Sequence, residues 1–200
     1  FKPVSNENVT IDLLGCPKTQ GNIQKLLSRA MGAPLFPVAF EELKANINYS
    51  GECALSFQVD TVEVFPINLS HPNVGMGYKF VEDGKTFVFL TDNELGYRHR
   101  EGRSFEEYVA FSKDADFLIH DAMYTSAQYE TTKTWGHSTY KEALNLALAA
   151  CVKRFGLFHH DPNRKDEELD AMVQGCQEVI RSKKSQMECF ALSQTTELTL

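Results

Sequence analysis

The sequence predicts an α/β fold in which a mixed sheet is covered by helices on one side, and three observations predict it. Strand patterns crowd the first half of the 200 residues, and strand and helix patterns alternate in the second. Apolar runs that read as buried strands stop on side chains capable of metal or proton chemistry: TFVFLTD on Asp92, DFLIHDA on Asp121, and RFGLFHH on His159 and His160. Between the last two runs, His137 stands at the mouth of a helix in TWGHSTYKEALNLALAA. Proteins of this class present their sites at the carboxyl ends of strands, so these residues form one site if the strand ends converge.

Taken in order, Val9 to Leu14 carries a short strand pattern. The turn-rich GCPKTQGN leads from it to Ile23, Leu26, Leu27 and Ala30, whose helical spacing offers one face to a sheet. APLFPVAF, broken by Pro34 and Pro37, is expected to run extended over the surface before EELKANINY. Leu55, Phe57 and Val59 alternate, then Val62 and Val64 after a slip at Asp60 and Thr61, where the strand bends or turns. Asp83-Gly84 lies between two strand patterns as a hairpin turn; the first strand is half exposed. The second, Thr86 to Leu90, is apolar on both faces and belongs in the middle of a sheet.

NELGYRHREGR then reads as a charged loop, and Ser104 with Glu107 as a capping box ahead of Phe105, Tyr108 and Val109. DFLIHDAMY supplies a short buried strand, and TSAQYETTKTWG a polar surface excursion that returns at Gly136. Thr139 with Glu142 repeats the capping signature before the helical face of Leu144, Ala147, Leu148 and Cys151. Leu169, Met172, Val173, Cys176, Val179 and Ile180 mark a final amphipathic helix, followed by a strand near Glu188 to Leu192. The chain contains no internal repeat or low-complexity tract.

The totals narrow the function. Apolar residues at 42% and charged residues at 24% are ordinary for a soluble globular domain with a sizeable core. A formal charge of -7 argues against broad, sequence-independent adhesion to duplex nucleic acid but leaves room for a phosphate-bearing substrate. No apolar stretch reaches bilayer length, and FKPVSNENV has no signal-peptide layout, so no membrane partner is expected. Cys16, Cys53, Cys151, Cys176 and Cys189 are odd in number and scattered, without a CxxC pair, which fits buried free thiols in a reducing, cytoplasmic compartment.

Individual side chains are ambiguous, whereas the set is more demanding. His71 precedes Pro72, a stiff corner, and is either a metal donor or a loop histidine bonded to backbone. Asp92 in TDNE is either a donor or a turn former. His137 could protonate a leaving oxygen if Asp121 held its other nitrogen, or could simply bond at the helix start. Imidazole and carboxylate from His71, Asp92 and His159 suit a divalent ion of the zinc or manganese type. Three donors fill a two-metal centre only in part, since such a centre takes about seven or eight protein contacts. His99 and His120 read as structural or solvated, and Glu94 and Asp161 either orient ligands or are surface acids.

The segments HPNVGMGYKF, FLTDNE, IHDAMYT, GHST and GLFHHDP occur in the order and spacing of the metallo-β-lactamase superfamily. They most resemble its phosphodiesterase branch, which includes ribonuclease Z. The resemblance spans nearly the whole chain and implies an αββα sandwich with two divalent metals, zinc foremost, manganese or iron as alternatives. It matches His71 to a histidine on the first metal, Asp92 to the bridging aspartate, and His159, rather than His160, to the last histidine on the second. It matches His137 to the histidine of the HST loop, and Asp121 to the position of that branch's HEAT-loop glutamate. In the implied reaction a water attacks phosphorus between the metals, His137 donates the proton, and backbone N–H groups after Asp92 and His137 add donors for the anion.

Two departures shape these expectations. The HxHxDH signature that supplies four further ligands does not occur in these residues, so residues 1–200 resemble the C-terminal part of a single longer domain. A preceding segment is then the expected source of the missing ligands, and this part alone is expected to be inactive. No glycine- and proline-rich arm of the kind that grips transfer RNA occurs either, which favours a small-molecule or nucleotide phosphodiester. Hydrolysis of esters, thioesters or lactones on the same centre is the alternative activity, and a non-catalytic sensor or binding domain the alternative class. A homodimer remains compatible with the sequence.

Overall fold

The computed structural model describes residues 2–14, 23–50 and 54–200 and falls into two compact units, Phe1–Leu55 and Ser56–Leu200. The expected connection GCPKTQGN, Cys16 and Cys53 lie outside the described residues.

In the first unit, β1 (Thr10–Leu14) and β2 (Asn46–Ser50) pair in parallel, with Thr10 opposite Asn46 and Leu14 opposite Ser50. Parallel strands need a crossover, and α1 (Ile23–Ala30) lies in it. Ile23, Leu26 and Leu27 are only half-buried, so the face expected to pack on a sheet is not sealed. The segment holding Pro34 and Pro37 turns rather than runs extended: Leu35 and Phe36 N–H both donate to the Gly32 carbonyl, at 2.9 and 3.0 Å.

The second unit is a seven-stranded mixed sheet in the order of the sequence. β3 (Phe57–Val59), β4 (Val62–Leu69), β5 (Gly75–Glu82) and β6 (Lys85–Leu90) form an antiparallel meander. The β5–β6 turn has both Asp83 (φ 48°) and Gly84 (φ 73°) left-handed, the backbone that matches strand twist in two-residue hairpins. Helix α2 (Phe105–Ser112) then leads to β7 (Phe117–Asp121), and α3 (Ser126–Thr132) and α4 (Tyr140–Ala149) to β8 (Arg154–Phe158). α5 (Asp166–Ser182) leads to β9 (Glu188–Ala191), and β6 to β9 are parallel. The expected capping boxes at Ser104 and Thr139 are formed.

The surface excursion expected at TSAQYETTKTWG contains a helix, α3. Thr125 and Gln128 build a capping box of the same kind, and no apolar stripe announces it. Cys151 is exposed in a left-handed residue (φ 55°) just past α4, not on its apolar face, whereas Cys176 and Cys189 are buried free thiols.

Alternation sorts the sheet into two faces. Val88, Leu90, Leu118, Phe155 and Leu157 pack against Tyr108 of α2, Leu144, Leu146 and Ala147 of α4, and Met172, Cys176 and Ile180 of α5. The other face carries rings in succession, Phe80 to Phe87 at 5.5 Å, Phe87 to Phe117 at 5.7 Å and Phe117 to Phe190 at 5.6 Å between centroids. The last pair meets across β8 because Gly156 stands between; a Cβ there would lie 3.1 Å from Phe117 Cζ. Leu146 is wholly buried in the helix-side core. Leu146→Ala should therefore cost about 2–5 kcal/mol, read as a lower urea midpoint at unchanged slope.

Candidate metal and proton-transfer site

Sheet topology explains why distant side chains meet. β4 runs antiparallel to β5 and β5 antiparallel to β6, so β4 points the same way as β6, β7 and β8. The carboxyl ends of these four strands share one edge, where His71 follows β4, Asp92 follows β6, Asp121 ends β7 and His159 follows β8. His137 enters from the α3–α4 loop just ahead of the Thr139 cap.

The structure brings His71, Asp92, Asp121, His137 and His159 together. His137 Nδ1 lies 2.6 Å from Asp121 Oδ2, and the His137 and His159 rings stack at 4.7 Å. His71 meets His137 edge-on at 5.6 Å, and His159 Nε2 is 3.4 Å from Asp92 Oδ1. Ligating atoms of His71, Asp92 and His137 lie within 4.8 Å of one another, as do those of Asp121, His137 and His159. Each set offers two imidazoles and a carboxylate, donor types that suit a zinc- or manganese-type ion. His159 is the ring facing Asp92; Nε2 of His160 instead lies 3.2 Å from the Leu192 carbonyl. Strand alternation does not decide between them, because β8 stops at Phe158 and His159 is left-handed (φ 55°). Asp92 is left-handed too (φ 57°), an arrangement that Asp and His tolerate better than most residues.

Electrostatics separate the histidines. Asp121 is wholly buried and its carboxylate can only accept, so the proton on Nδ1 of His137 faces it and Nε2 is left toward the cluster. Burial disfavours the charged His137 ring, but the hydrogen bond and charge of Asp121, with Asp92 and Glu94 behind them, outweigh it and raise its pKa. His71 goes the other way: burial lowers its pKa, only partly offset by Asp92, which leaves a neutral nitrogen suited to a metal. His120 is a buried structural group whose Nδ1 donates to the Asp121 carbonyl at 2.7 Å while Nε2 faces the Asn93 amide at 3.0 Å.

In the segment after Asp92 the sequence left Glu94 open between orienting ligands and a surface acid, and gave Asn93 no role. Asn93 and Glu94, expected in a charged loop, are buried. Asn93 Oδ1 accepts from Ser70 N–H at 2.8 Å, and its carbonyl accepts from Ser138 Oγ at 2.5 Å. Glu94 takes four donors, described below, and His99 is one of them. For Asn93, only its closeness to Asp92 in sequence hinted at a role. Four of the backbone donors near the site, where an anion was expected to bind, are already engaged. Leu95 N–H donates to Ser138 Oγ, Ser138 N–H to Asp121, Thr139 N–H to Glu142, and Tyr140 N–H to the Tyr124 carbonyl. Asp161 caps its own turn through Asn163 N–H at 2.9 Å rather than entering the cluster.

The chain is similar to known proteins over most of its length. Ribonuclease Z of Picrophilus torridus is 24% identical over 197 residues, covering 80% of this chain and 61% of that protein. Ribonuclease Z of Haloferax volcanii is 25% identical over 186 residues, covering 72% and 56%. The chain thus spans little more than half the length of these relatives. The crystal structure of a diphosphatase from the PhnP family superposes with a TM-score of 0.64 at 14% identity, covering 100% of this chain and 64% of that one. Residues 28–160 match the family model of the beta-lactamase superfamily domain. The chain therefore belongs to the metallo-β-lactamase superfamily, and within it is similar to Ribonuclease Z.

Proposed function

We propose that this chain carries part of the active site of a metal-dependent hydrolase of phosphodiester bonds, with His137 as proton donor. One observation carries the reading: a histidine held by a buried carboxylate at 2.6 Å stacks at 4.7 Å on the histidine that faces Asp92. His71, Asp92 and His159 are the residues that would hold divalent ions. Such ions, when bound, neutralise phosphoryl oxygens and lower the pKa of the attacking water.

The chain's own residues do the rest. Asp121 fixes the His137 ring and stabilises its imidazolium form, so that Nε2–H points into the cluster. As water forms its bond to phosphorus and the opposite P–O bond breaks, the Nε2 proton passes to the departing oxygen. The neutral ring is then recharged from solvent. The relatives named Ribonuclease Z and the fold shared with a diphosphatase support a phosphoester substrate, small or nucleotide in this reading. A segment preceding residue 1 would bring the further metal ligands, making residues 1–200 the C-terminal part of one domain.

Two measurements test this. Turnover of bis-p-nitrophenyl phosphate by the complete protein should exceed turnover of thioesters and lactones; preference for the latter would replace the phosphodiesterase reading. Residues 1–200 alone should bind fewer than two metal ions per chain by elemental analysis after dialysis. Retention of two would refute the need for outside ligands.

A further inference from the structure

We propose that Glu94 is a positioning residue of the site, setting the backbone that carries His137. This rests on the reading of His137 as proton donor. The Glu94 side chain is completely shielded from solvent, and all four of its acceptor positions are filled. Oε1 takes Tyr129 O–H at 2.6 Å and Thr134 N–H at 2.7 Å; Oε2 takes His99 Nε2–H and Gly136 N–H, both at 2.8 Å. Two donors on each oxygen leave no acceptor toward which a carboxyl proton could point, so the geometry is that of a carboxylate.

The geometry shows what those bonds constrain. Thr134 (φ 76°) and Gly136 (φ 98°) are both left-handed, and Thr134 is β-branched, for which such a backbone is strained. Glu94 grips the N–H of each. The next residue is His137, whose ring has its own anchor in Asp121. The ring is thus fixed at its tip by one carboxylate and at its root by another. Gly136 also abuts His71 so closely that a Cβ would come within 2.7 Å of its Nε2, so the same grip sets the spacing of the two histidines. Glu94 lies two residues beyond Asp92, and one short segment thereby carries a metal donor and places the acid that serves it. An amide could not substitute: Gln would turn an NH2 group toward two of the four donors.

The test is Glu94→Gln in the intact protein, with Leu146→Ala as a control of comparable instability remote from the loop. Proton–nitrogen spectra of the imidazole rings read the His137 Nδ1–H directly, whether or not the protein turns over a phosphodiester. In E94Q that resonance should be lost to solvent exchange or displaced, and in L146A it should stay. Hydrolysis of bis-p-nitrophenyl phosphate by E94Q should fall about 100-fold in kcat with KM little changed, the penalty of a misplaced group. If E94Q does not fold, Tyr129→Phe removes one donor and should broaden the same resonance. An unmoved His137 signal in the folded variant would reduce Glu94 to a structural role. A moved signal in a protein without phosphodiesterase activity would sustain the positioning role and defeat the proposed reaction instead.

Discussion

Replacing His137 with alanine should slow hydrolysis of a phosphodiester with an alkyl leaving group by about 100- to 10,000-fold, the usual contribution of a general acid. With p-nitrophenolate as leaving group the loss should be far smaller, because so weak a base departs without a proton. The contrast distinguishes two roles that the fold brings close together. His137 shares a 4.8 Å cluster with His71 and Asp92, so it could also act as a metal ligand. A ligand's removal would depress both substrates equally and lower the metal content; a proton donor's removal leaves metal content unchanged. Equal losses on both substrates would end the general-acid reading. Folding should also suffer, because Asp121 is wholly buried and would keep only the Met123 and Ser138 N–H groups, at 3.1 and 3.4 Å. A stranded carboxylate of this kind costs roughly 1–3 kcal/mol, so kinetics must be read well below the lowered midpoint.

What was legible in the sequence follows from the range over which each signal acts. Ser104 with Glu107, Thr139 with Glu142, and Asp83-Gly84 are local devices whose partners lie within three residues, and all three are formed as expected. Thr125 with Gln128 carries the same device, but SAQYETT has no apolar stripe, and the helix passed for a surface excursion. β2 was missed for a related reason: NINYS pairs only with β1, in parallel and half exposed, so burial leaves no clean period in it. The convergence of His71, Asp92, Asp121 and His159 was an inference from strand ends, and its physical basis is the parity of the meander, which no local pattern encodes. The burial of Asn93 and Glu94 was hidden because most of their partners are remote, 23 to 45 residues away for Ser70 and Ser138 and 35 to 42 for Tyr129, Thr134 and Gly136, with only His99 near. A polar residue whose burial depends mainly on distant donors looks like a loop residue until the chain is folded.

Gly136→Ala should damage stability and site together, although it alters neither a candidate ligand nor an acid. At φ 98° an L-residue is strained whatever space surrounds it, which costs about 1–3 kcal/mol. Here the space is also occupied: the added methyl would meet the His71 ring and lie 2.7 Å from Pro72 Cδ. Pro72 is stiff, so relief must come from rotating His71 or from backing the loop away, and overpacking of this type costs a further 1–3 kcal/mol, roughly. Either relief is harmful. Rotating His71 withdraws a nitrogen from the cluster with Asp92, whereas retreat of the loop stretches the Gly136 bond to Glu94 and carries His137 from Asp121. G136A should therefore lose about 2–6 kcal/mol of stability and at least about 100-fold of kcat, with zinc affinity reporting which relief occurs. Weaker zinc binding with an unmoved His137 resonance identifies the displaced His71; unchanged binding with a lost resonance identifies the loop. Full activity and an unchanged melting point would show that the loop and the β4 corner are not in register at all, and the site assembled from these strand ends would have to be abandoned.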